Sequence, residues 1–227
     1  MKQRFPLATL LVLGLLTPSP ALAWSNGEEG CNSYGTHDWI LDQALQAVGE
    51  QAEWVRTRVA LRATDDPDCV DGIDHASSPW WHVYDEWGET YGGAPEAAEV
   101  WFERMSNRLQ AGNERGASRA LGILAHIVGD VAQPMHTDSR PREDRVHPLY
   151  ESAVDRRDYS FNYDGADDVN PRARALRVAR AAHNYYFDLI RAYDNHSYND
   201  KVHRITKRQL NRAANALADL LSSVSRG

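Results

Sequence analysis

The chain has 227 residues, and its 32 acidic and 25 basic side chains give a formal net charge of −7 at pH 7. A negative balance argues against a protein that binds polyanions non-specifically. The longest apolar stretch runs from Phe5 to Leu16 and is too short to span a bilayer, which takes about 20 residues. The length suits a single domain with a sizeable core.

Residues 1–23 predict a signal peptide. Lys2 and Arg4 supply the positive charge that precedes the apolar stretch, and the small residues ending at Ala23 form a cleavage site. We therefore expect an exported protein, secreted or periplasmic, whose single mature domain covers residues 24–227.

The chain has two cysteines, Cys31 and Cys69. In an exported protein a disulfide between them is favoured over two free thiols. A metal-binding role is the alternative, and it is disfavoured because neither cysteine lies in a CxxC spacing. We expect the disulfide.

Helical periodicity of apolar residues predicts the secondary structure. The expected helices cover residues 37–49, 51–63, 95–110, 117–133, 147–157, 171–193 and 202–224. The segment 117–133 is apolar almost all round, as expected for a buried central helix. No segment alternates like a strand, so the predicted fold is an all-α multi-helix bundle. The loops 64–94 and 137–146 are long enough to suggest functional roles.

The central helix carries His126 and Asp130, which are four residues apart and therefore lie on one face. A buried ion pair would explain these two alone. His136 follows after a proline, and His147 and Glu151 form another pair with the same spacing. Imidazole nitrogens and carboxylate oxygens are the ligands that zinc takes in such helical sites. The cluster therefore favours a metal site over a structural ion pair.

Further candidate ligands lie upstream. His37 opens the first mature helix, and His82 lies in the first long loop. Asp65, Asp66 and Asp68 come before it, next to a proline, where acidic residues are also common in ordinary turns. Spacing alone leaves each of these residues open to either interpretation.

At these residues the chain resembles the bacterial zinc-dependent phospholipases C. His126 to His136 reads HIVGDVAQPMH and His147 to Glu151 reads HPLYE, similar to that family's HxxGDxxxPxH followed by HxxxE. The mature start at Trp24, with His37 thirteen residues on, is also similar, and His82-Val83-Tyr84-Asp85 resembles the family's His-Phe-Tyr-Asp. The resemblance runs from Trp24 to about Glu151.

The resemblance implies an all-helical fold with three zinc ions in a cleft between helices. The first ion would be held by His126, Asp130, His82 and an upstream aspartate. The second would be held by His136, His147 and Glu151. The third would be held by His37, by Asp130 as a bridge, and by the amino and carbonyl groups of Trp24, whose free amine exists only after signal cleavage.

The upstream aspartate is the least determined of these ligands. Asp65 suits the spacing to the following proline and is the favoured choice, whereas Asp68 suits the distance to His82; Asp66 is a further alternative. In the family this aspartate is proposed to orient or deprotonate the attacking water, so Asp65 is also the candidate catalytic residue.

The ligand set does not decide the substrate, because it also resembles zinc-dependent nucleases that cut single-stranded nucleic acids. The short chain, the negative charge and the segment at His82 favour a phospholipase C that releases a phosphorylated headgroup and diacylglycerol from phospholipids. We expect a monomer with transient membrane-surface contact. A zinc protein without turnover is a third possibility, but the ligands are too few for three closed four-ligand sites.

Trp80, Trp81 and Tyr84 crowd the loop beside His82 and are the candidate substrate-binding residues. They suit a lipid or a choline group, and they equally suit stacked bases or simple packing of the loop. One departure from the family is Gly27, which stands where its members carry an acidic residue that helps to hold choline.

Overall fold

The computed structural model describes residues 31–70, 92–138, 143–155, 158–167 and 170–224. Within these ranges the helices are α1 Thr36–Val48, α2 Thr57–Thr64, α3 Asp66–Cys69, α4 Ala94–Gln110, α5 Glu114–Ala132, α6 Glu143–Asp155, α7 Pro171–His183, α8 Tyr186–Asp194 and α9 Asp200–Ser222. Two 3-10 turns are present, Gly49–Ala52 and Pro134–Thr137. The described ranges contain no strand, which confirms the all-α prediction.

Helix α5 is the centre of the molecule, as its sequence predicted. It begins at Glu114 because the side chain of Asn113 accepts a hydrogen bond from the Gly116 N–H at 2.9 Å, a typical N-cap. Nearly every residue from Ala117 to Ala132 is buried, and helices α1, α2, α4, α7 and α9 pack around it. A helix enclosed in this way fixes the position of any side chain it carries.

Helix α2 approaches α5 at Gly122. A Cβ atom at this position would lie 2.2 Å from the carbonyl oxygen of Ala60 and 2.7 Å from the Cβ of Ala63. Only a residue without a side chain permits this distance between the two helices. The contact brings the end of α2 alongside the face of α5 that carries His126.

Three of the predicted helices differ from the helices of the structure. The first half of 51–63 is a 3-10 turn followed by non-helical residues, because Gly49 has a φ of 53° and the Arg56 N–H donates to the Ser118 side chain, 2.9 Å away, instead of a helical carbonyl. The predicted helix 171–193 is two helices, α7 and α8, which break at Asn184 and Tyr185. Helix α6 starts at Glu143, earlier than predicted, so part of the expected loop 137–146 is helical.

The disulfide between Cys31 and Cys69 is confirmed, with a Cα–Cα distance of 6.1 Å. It joins the segment before α1 to the short helix α3 and closes a loop of 38 residues, which on chain-entropy grounds stabilises the fold by about 4 kcal/mol. The same two segments are also joined by the hydrogen bond that the Asn32 N–H donates to Asp65. Among the described residues, no helix combines the length and the apolar character needed to span a membrane. The signal peptide predicted at residues 1–23 lies outside the described ranges.

Candidate metal centre

Six of the predicted ligands meet at one place, between α1, α5, α6 and the 3-10 turn Pro134–Thr137. They form a first triad of His37, His126 and Asp130 and a second triad of His136, His147 and Glu151. All six side chains are buried, with at most 5% of any residue exposed. In each triad, one nitrogen or oxygen atom from each residue lies within 4.8 Å of the others.

The first triad joins α1 to α5. The His37 Nε2 atom lies 3.5 Å from Asp130 Oδ1, and the His126 Nε2 atom lies 3.2 Å from Asp130 Oδ2. The two imidazole rings stack with centroids 4.1 Å apart and an angle of 19° between their planes. Both Nε2 atoms therefore point at the same carboxylate.

Gly129 makes room for His37. A Cβ atom on Gly129 would lie 2.5 Å from the His37 Nδ1 atom, so a larger residue here would displace the ring. On the other side, Asp38 fixes the start of α1, because its carboxylate accepts hydrogen bonds from the Gly35 N–H at 2.9 Å and the Thr64 hydroxyl at 3.0 Å. The position of His37 is thus determined by both the helix start and the glycine.

The orientation of His126 is set by a main-chain group. Its Nδ1 atom lies 2.7 Å from the Thr64 carbonyl oxygen, which can only accept, so Nδ1 carries the proton and Nε2 faces Asp130. Burial disfavours a charged ring, but the carboxylates of Asp130 and Asp68 outweigh it and raise the pKa of His126 to about 9. Without metal, His126 and Asp130 form a charged pair.

The second triad is built from the 3-10 turn and α6. The Glu151 Oε1 atom lies 2.6 Å from His147 Nε2 and 3.8 Å from His136 Nε2, and the side-chain amide of Gln133 donates to it at 2.9 Å. Burial lowers the pKa of His136. Burial alone would raise the pKa of Glu151, but His147 outweighs it, and the pKa of Glu151 is lowered.

Asp130 connects the two triads. Its Oδ1 atom lies 3.5 Å from His37 Nε2 and 3.6 Å from His136 Nε2. One carboxylate therefore touches ligand atoms of both groups, and metal ions held by the two triads would be neighbours.

The donor atoms around Asp130 fit zinc. Bonds of about 2.0–2.1 Å in a tetrahedral site place neighbouring ligand atoms roughly 3.3 Å apart. The separations of 3.2, 3.5 and 3.6 Å around Asp130 are close to this value, and two of them exceed the usual length of an N–H···O hydrogen bond. Histidine nitrogens with carboxylate oxygens are also the ligand types that zinc takes in such sites.

Two solved structures share this architecture. The alpha-toxin of Clostridium perfringens from the avian strain SWCP superposes with a TM-score of 0.58 and 17% identity over 87% of this chain and 65% of the toxin. The alpha toxin of Clostridium absonum gives a TM-score of 0.63 and 18% identity over 85% of this chain and 64% of the toxin. The chain has the alpha-toxin fold. The chain spans about two thirds of the length of these toxins. Its sequence matches no protein-family model and no curated protein.

Within this fold the three upstream aspartates have different surroundings. Asp68 is the one near the first triad, with its Oδ1 atom 3.9 Å from His126 Nε2. Asp66 pairs with Arg119 at 2.7 Å. Asp65, the favoured ligand, is buried and accepts a hydrogen bond from the Asn32 N–H; burial raises its pKa to about 7. The structure therefore brings Asp68 rather than Asp65 closest to the first triad.

The other predicted site residues, Trp24, Trp80, Trp81, His82 and Tyr84, lie outside the described residues. A cleft of about 650 Å³ opens next to Asp65. Its lining includes Tyr34, Asp38, Arg58 and Arg62. None of the six triad ligands is among its lining residues.

Sequence reasoning did not find the groups that support the ligands. Gln133 binds Glu151, the Thr64 carbonyl binds His126, and Gly129 receives His37. Gln133 and Gly129 lie inside the motif between His126 and His136, so their position next to ligands was an available signal. The role of Thr64 depends on a contact between residues 62 positions apart, which no local pattern reveals.

Proposed function

We propose that this protein is a zinc-dependent phosphodiester hydrolase, a phospholipase C that releases a phosphorylated headgroup and diacylglycerol from phospholipids. The observation that carries the proposal is Asp130, which lies within 3.6 Å of a histidine nitrogen in each triad. Adjacent metal sites that share a carboxylate are suited to phosphodiester cleavage, because they stabilise both the attacking and the leaving oxygen. The lipid substrate is supported by the resemblance to the phospholipase C signature and by the alpha-toxin fold.

Three zinc ions are proposed. The first is assigned to His126, Asp130, His82 and Asp68, the second to His136, His147 and Glu151, and the third to His37, Asp130 and the amino and carbonyl groups of Trp24. Asp68 replaces Asp65 in the first set because it is the aspartate 3.9 Å from His126. The free amine of Trp24 requires cleavage after Ala23, so export through the signal peptide 1–23 is part of the proposal, with a secreted or periplasmic monomer as the product.

Zinc ions, when bound, supply a water with a pKa near 7 and positive charge against the phosphate oxygens. The residues of the chain do the rest. The Thr64 carbonyl and the Gln133 amide hold His126 and Glu151 in position. Asp65, with a pKa of about 7, is suited to accept a proton at neutral pH. Contact with the lipid is assigned to Trp80, Trp81 and Tyr84.

The decisive experiment gives zinc-loaded protein beginning at Trp24 a mixture of short-chain phosphatidylcholine and a single-stranded oligonucleotide, followed by phosphorus NMR. We expect phosphocholine to appear while the oligonucleotide stays intact. Asp130→Asn should lower turnover roughly 1,000-fold, and Asp158→Asn, a change at an exposed carboxylate, should leave it unaltered. Asp65→Asn should keep its zinc and lose turnover.

The other outcomes each remove part of the proposal. Nucleotide products with intact lipid would mean that the protein is a nuclease. No product from either substrate, with zinc bound, would refute both the phospholipase C and the nuclease and favour a zinc protein without turnover. Full turnover by Asp65→Asn would exclude Asp65 as the proton acceptor.

A further inference from the structure

Positive charge is concentrated on two helices far along the chain from the metal-binding motif. The 13 residues of α7 include four arginines, and residues 201–218 of α9 include five basic side chains. Neither stretch contains an acidic residue. These two stretches thus hold nine of the 25 basic residues of the chain and none of its 32 acidic residues. In a chain with a net charge of −7, the distribution is strongly asymmetric.

The two helices lie side by side and run antiparallel. Arg174, near the start of α7, pairs with Asp219 near the end of α9. Just beyond the end of α7, the Tyr185 hydroxyl accepts a hydrogen bond from Arg208 in the first half of α9 at 2.7 Å. The two basic stretches therefore form one continuous surface.

Five arginines follow this junction, and we refer to them as the arginine seam: Arg174, Arg177, Arg204, Arg208 and Arg212. Arg174 and Arg177 are one turn apart on α7, and the other three repeat every four residues along α9. Burial lowers the pKa of Arg212, and the charges of Arg208 and Arg174 lower it further.

The seam is poorly neutralised. Arg174 pairs with Asp219, but in the described part of the chain no carboxylate pairs with Arg177 or Arg204, and both are exposed. A solvated helix face of the ordinary kind mixes both signs of charge, which stabilises it through pairs at three- and four-residue spacing. A like-charged row destabilises the fold slightly, and an anionic partner would offset that cost.

We propose that the arginine seam docks the protein on a bilayer that contains anionic phospholipids. Arginine binds phosphate groups with two parallel hydrogen bonds, and basic residues near an anionic membrane surface are attracted to it. Phe187, which is 52% exposed, follows Tyr185 by two residues at the end of the seam. An aromatic ring beside a basic surface suits the interface of a membrane.

The seam also ends close to the metal centre. The His183 Nδ1 atom, at the end of α7, lies 3.1 Å from the hydroxyl of Thr137, which is the neighbour of His136 in the chain. Docking along the seam would thus bring the second triad towards the lipid. A polynucleotide suits the surface less well, because the ring at the seam, Tyr185, is half-buried and bonded to Arg208 instead of open to base stacking.

This inference names a partner for the proposed phospholipase C, but the experiment separates the two. Zinc-loaded protein is sedimented with sucrose-loaded vesicles of pure phosphatidylcholine, or with vesicles in which a quarter is phosphatidylglycerol, at two salt concentrations. Headgroup release is measured in the same samples and on soluble short-chain phosphatidylcholine. Vesicle binding needs no turnover, so binding without hydrolysis refutes the proposed function and leaves the seam intact.

The test variant replaces Arg177, Arg204 and Arg208 by Gln. We expect tighter wild-type binding to the anionic vesicles, which weakens as salt rises. At about fivefold for each cation removed, the triple variant should bind roughly 100-fold more weakly and hydrolyse the soluble substrate as wild type does. Replacing the same three residues by Lys should restore the preference for anionic vesicles, because the charge is kept, but with weaker binding than wild type, because lysine lacks the paired hydrogen bonds.

A matched control replaces three other exposed arginines, Arg58, Arg104 and Arg115, by Gln and should bind like wild type. If the seam triple fails to fold, Arg177→Gln with Arg204→Gln alone provides the test, since both are exposed. Equal binding of wild type to neutral and anionic vesicles would overturn the proposal, as would equal losses in the seam and control variants. So would tighter seam-dependent binding to a single-stranded oligonucleotide than to the vesicles.

Discussion

The two triads of the candidate metal centre use the same kinds of donor but are assembled in different ways. The second triad comes from one short stretch, in which the 3-10 turn and α6 follow each other in the chain. The first combines His37 from α1 with His126 and Asp130 from α5, and depends on the packing of two helices far apart in sequence. The second is therefore a local structure and the first a product of the tertiary fold.

The ionisation of the ligands also differs between the two triads. Asp130 and Asp68 raise the pKa of His126 to about 9 despite its burial, so the first triad holds a proton that a metal must displace. In the second, burial lowers the pKa of His136, and His147 lowers that of Glu151. His136 and Glu151 are thus in the ionisation states that bind metal, whereas His126 must first lose its proton.

The largest expected effect is at Asp130, which touches both triads. Asp130→Asn should lower turnover roughly 1,000-fold, a loss of about 4 kcal/mol in transition-state stabilisation, because both metal sites lose a charged ligand. Glu151→Gln is the comparison and should deplete the second triad only. Zinc per molecule, measured by mass spectrometry, checks this. Equal zinc loss in the two variants would mean that Asp130 does not join the sites.

Substitutions at two glycines of α5 distinguish the placement of a ligand from the packing of the helices. In Gly129→Ala the new Cβ would lie 2.5 Å from His37 Nδ1, so the ring should move and turnover should fall by about 10–100-fold. In Gly122→Ala the Cβ would lie 2.2 Å from the Ala60 carbonyl oxygen, so stability should fall by about 1–3 kcal/mol while the folded protein keeps its zinc.

Zinc content and urea unfolding of both variants measure the difference. If Gly129→Ala keeps full zinc and activity, the first triad does not depend on the placement of His37. If Gly122→Ala loses zinc while still folded, the close packing of α2 on α5 contributes directly to the site.

The contrast between the triads also shows what sequence could predict. The pairs His126 with Asp130 and His147 with Glu151 were predictable from spacing, because a helix places residues four apart on one face. His37 needed the resemblance, since only the fold brings α1 to α5. The choice among Asp65, Asp66 and Asp68 depended on tertiary contacts, and the structure favours Asp68 through its distance of 3.9 Å from His126.

The same limit applies to the fold. The buried helix α5 was predictable, because its apolar residues cover all sides. The structure of the segment 158–167 was not predictable, because it is non-helical and is held by side chains of α9. The Asn162 N–H donates to Asn211, the Asp164 N–H to Asn215 and the Asp167 N–H to Asp219. These acceptors repeat every four residues along α9, a pattern that becomes informative only once their partner is known.

The hydrogen bonds that hold the ligand side chains in place differ between the triads, and this difference predicts a smaller effect on zinc binding. His126 is held by a main-chain carbonyl, which no substitution removes, whereas Glu151 is held by the Gln133 side chain at 2.9 Å. Gln133→Leu should therefore weaken zinc binding at the second triad by about 10-fold. Gln209→Leu, a change at another buried glutamine, is the matched control and should leave zinc binding unaltered. Competition with a chelator measures both, and equal affinities would refute a role for Gln133.

The smallest effect tests the electrostatic difference directly, in metal-free protein. His126 has a pKa of about 9 in the folded state and 6.5 as an ordinary histidine, so the folded state binds more protons between these values. Its contribution to stability is complete below pH 6.5 and is lost as the pH rises through 9. The free energy of unfolding in urea with EDTA should therefore be about 1.5 kcal/mol higher at pH 7.5 than at pH 9. His126→Gln should remove this gain, whereas His136→Gln should keep it, because a lowered pKa leaves His136 neutral across the whole interval.

Zinc should reverse this dependence of stability on pH, since it displaces the proton from His126 and is released on acidification. A gain that persists in His126→Gln would place the proton elsewhere and remove the distinction between the two triads.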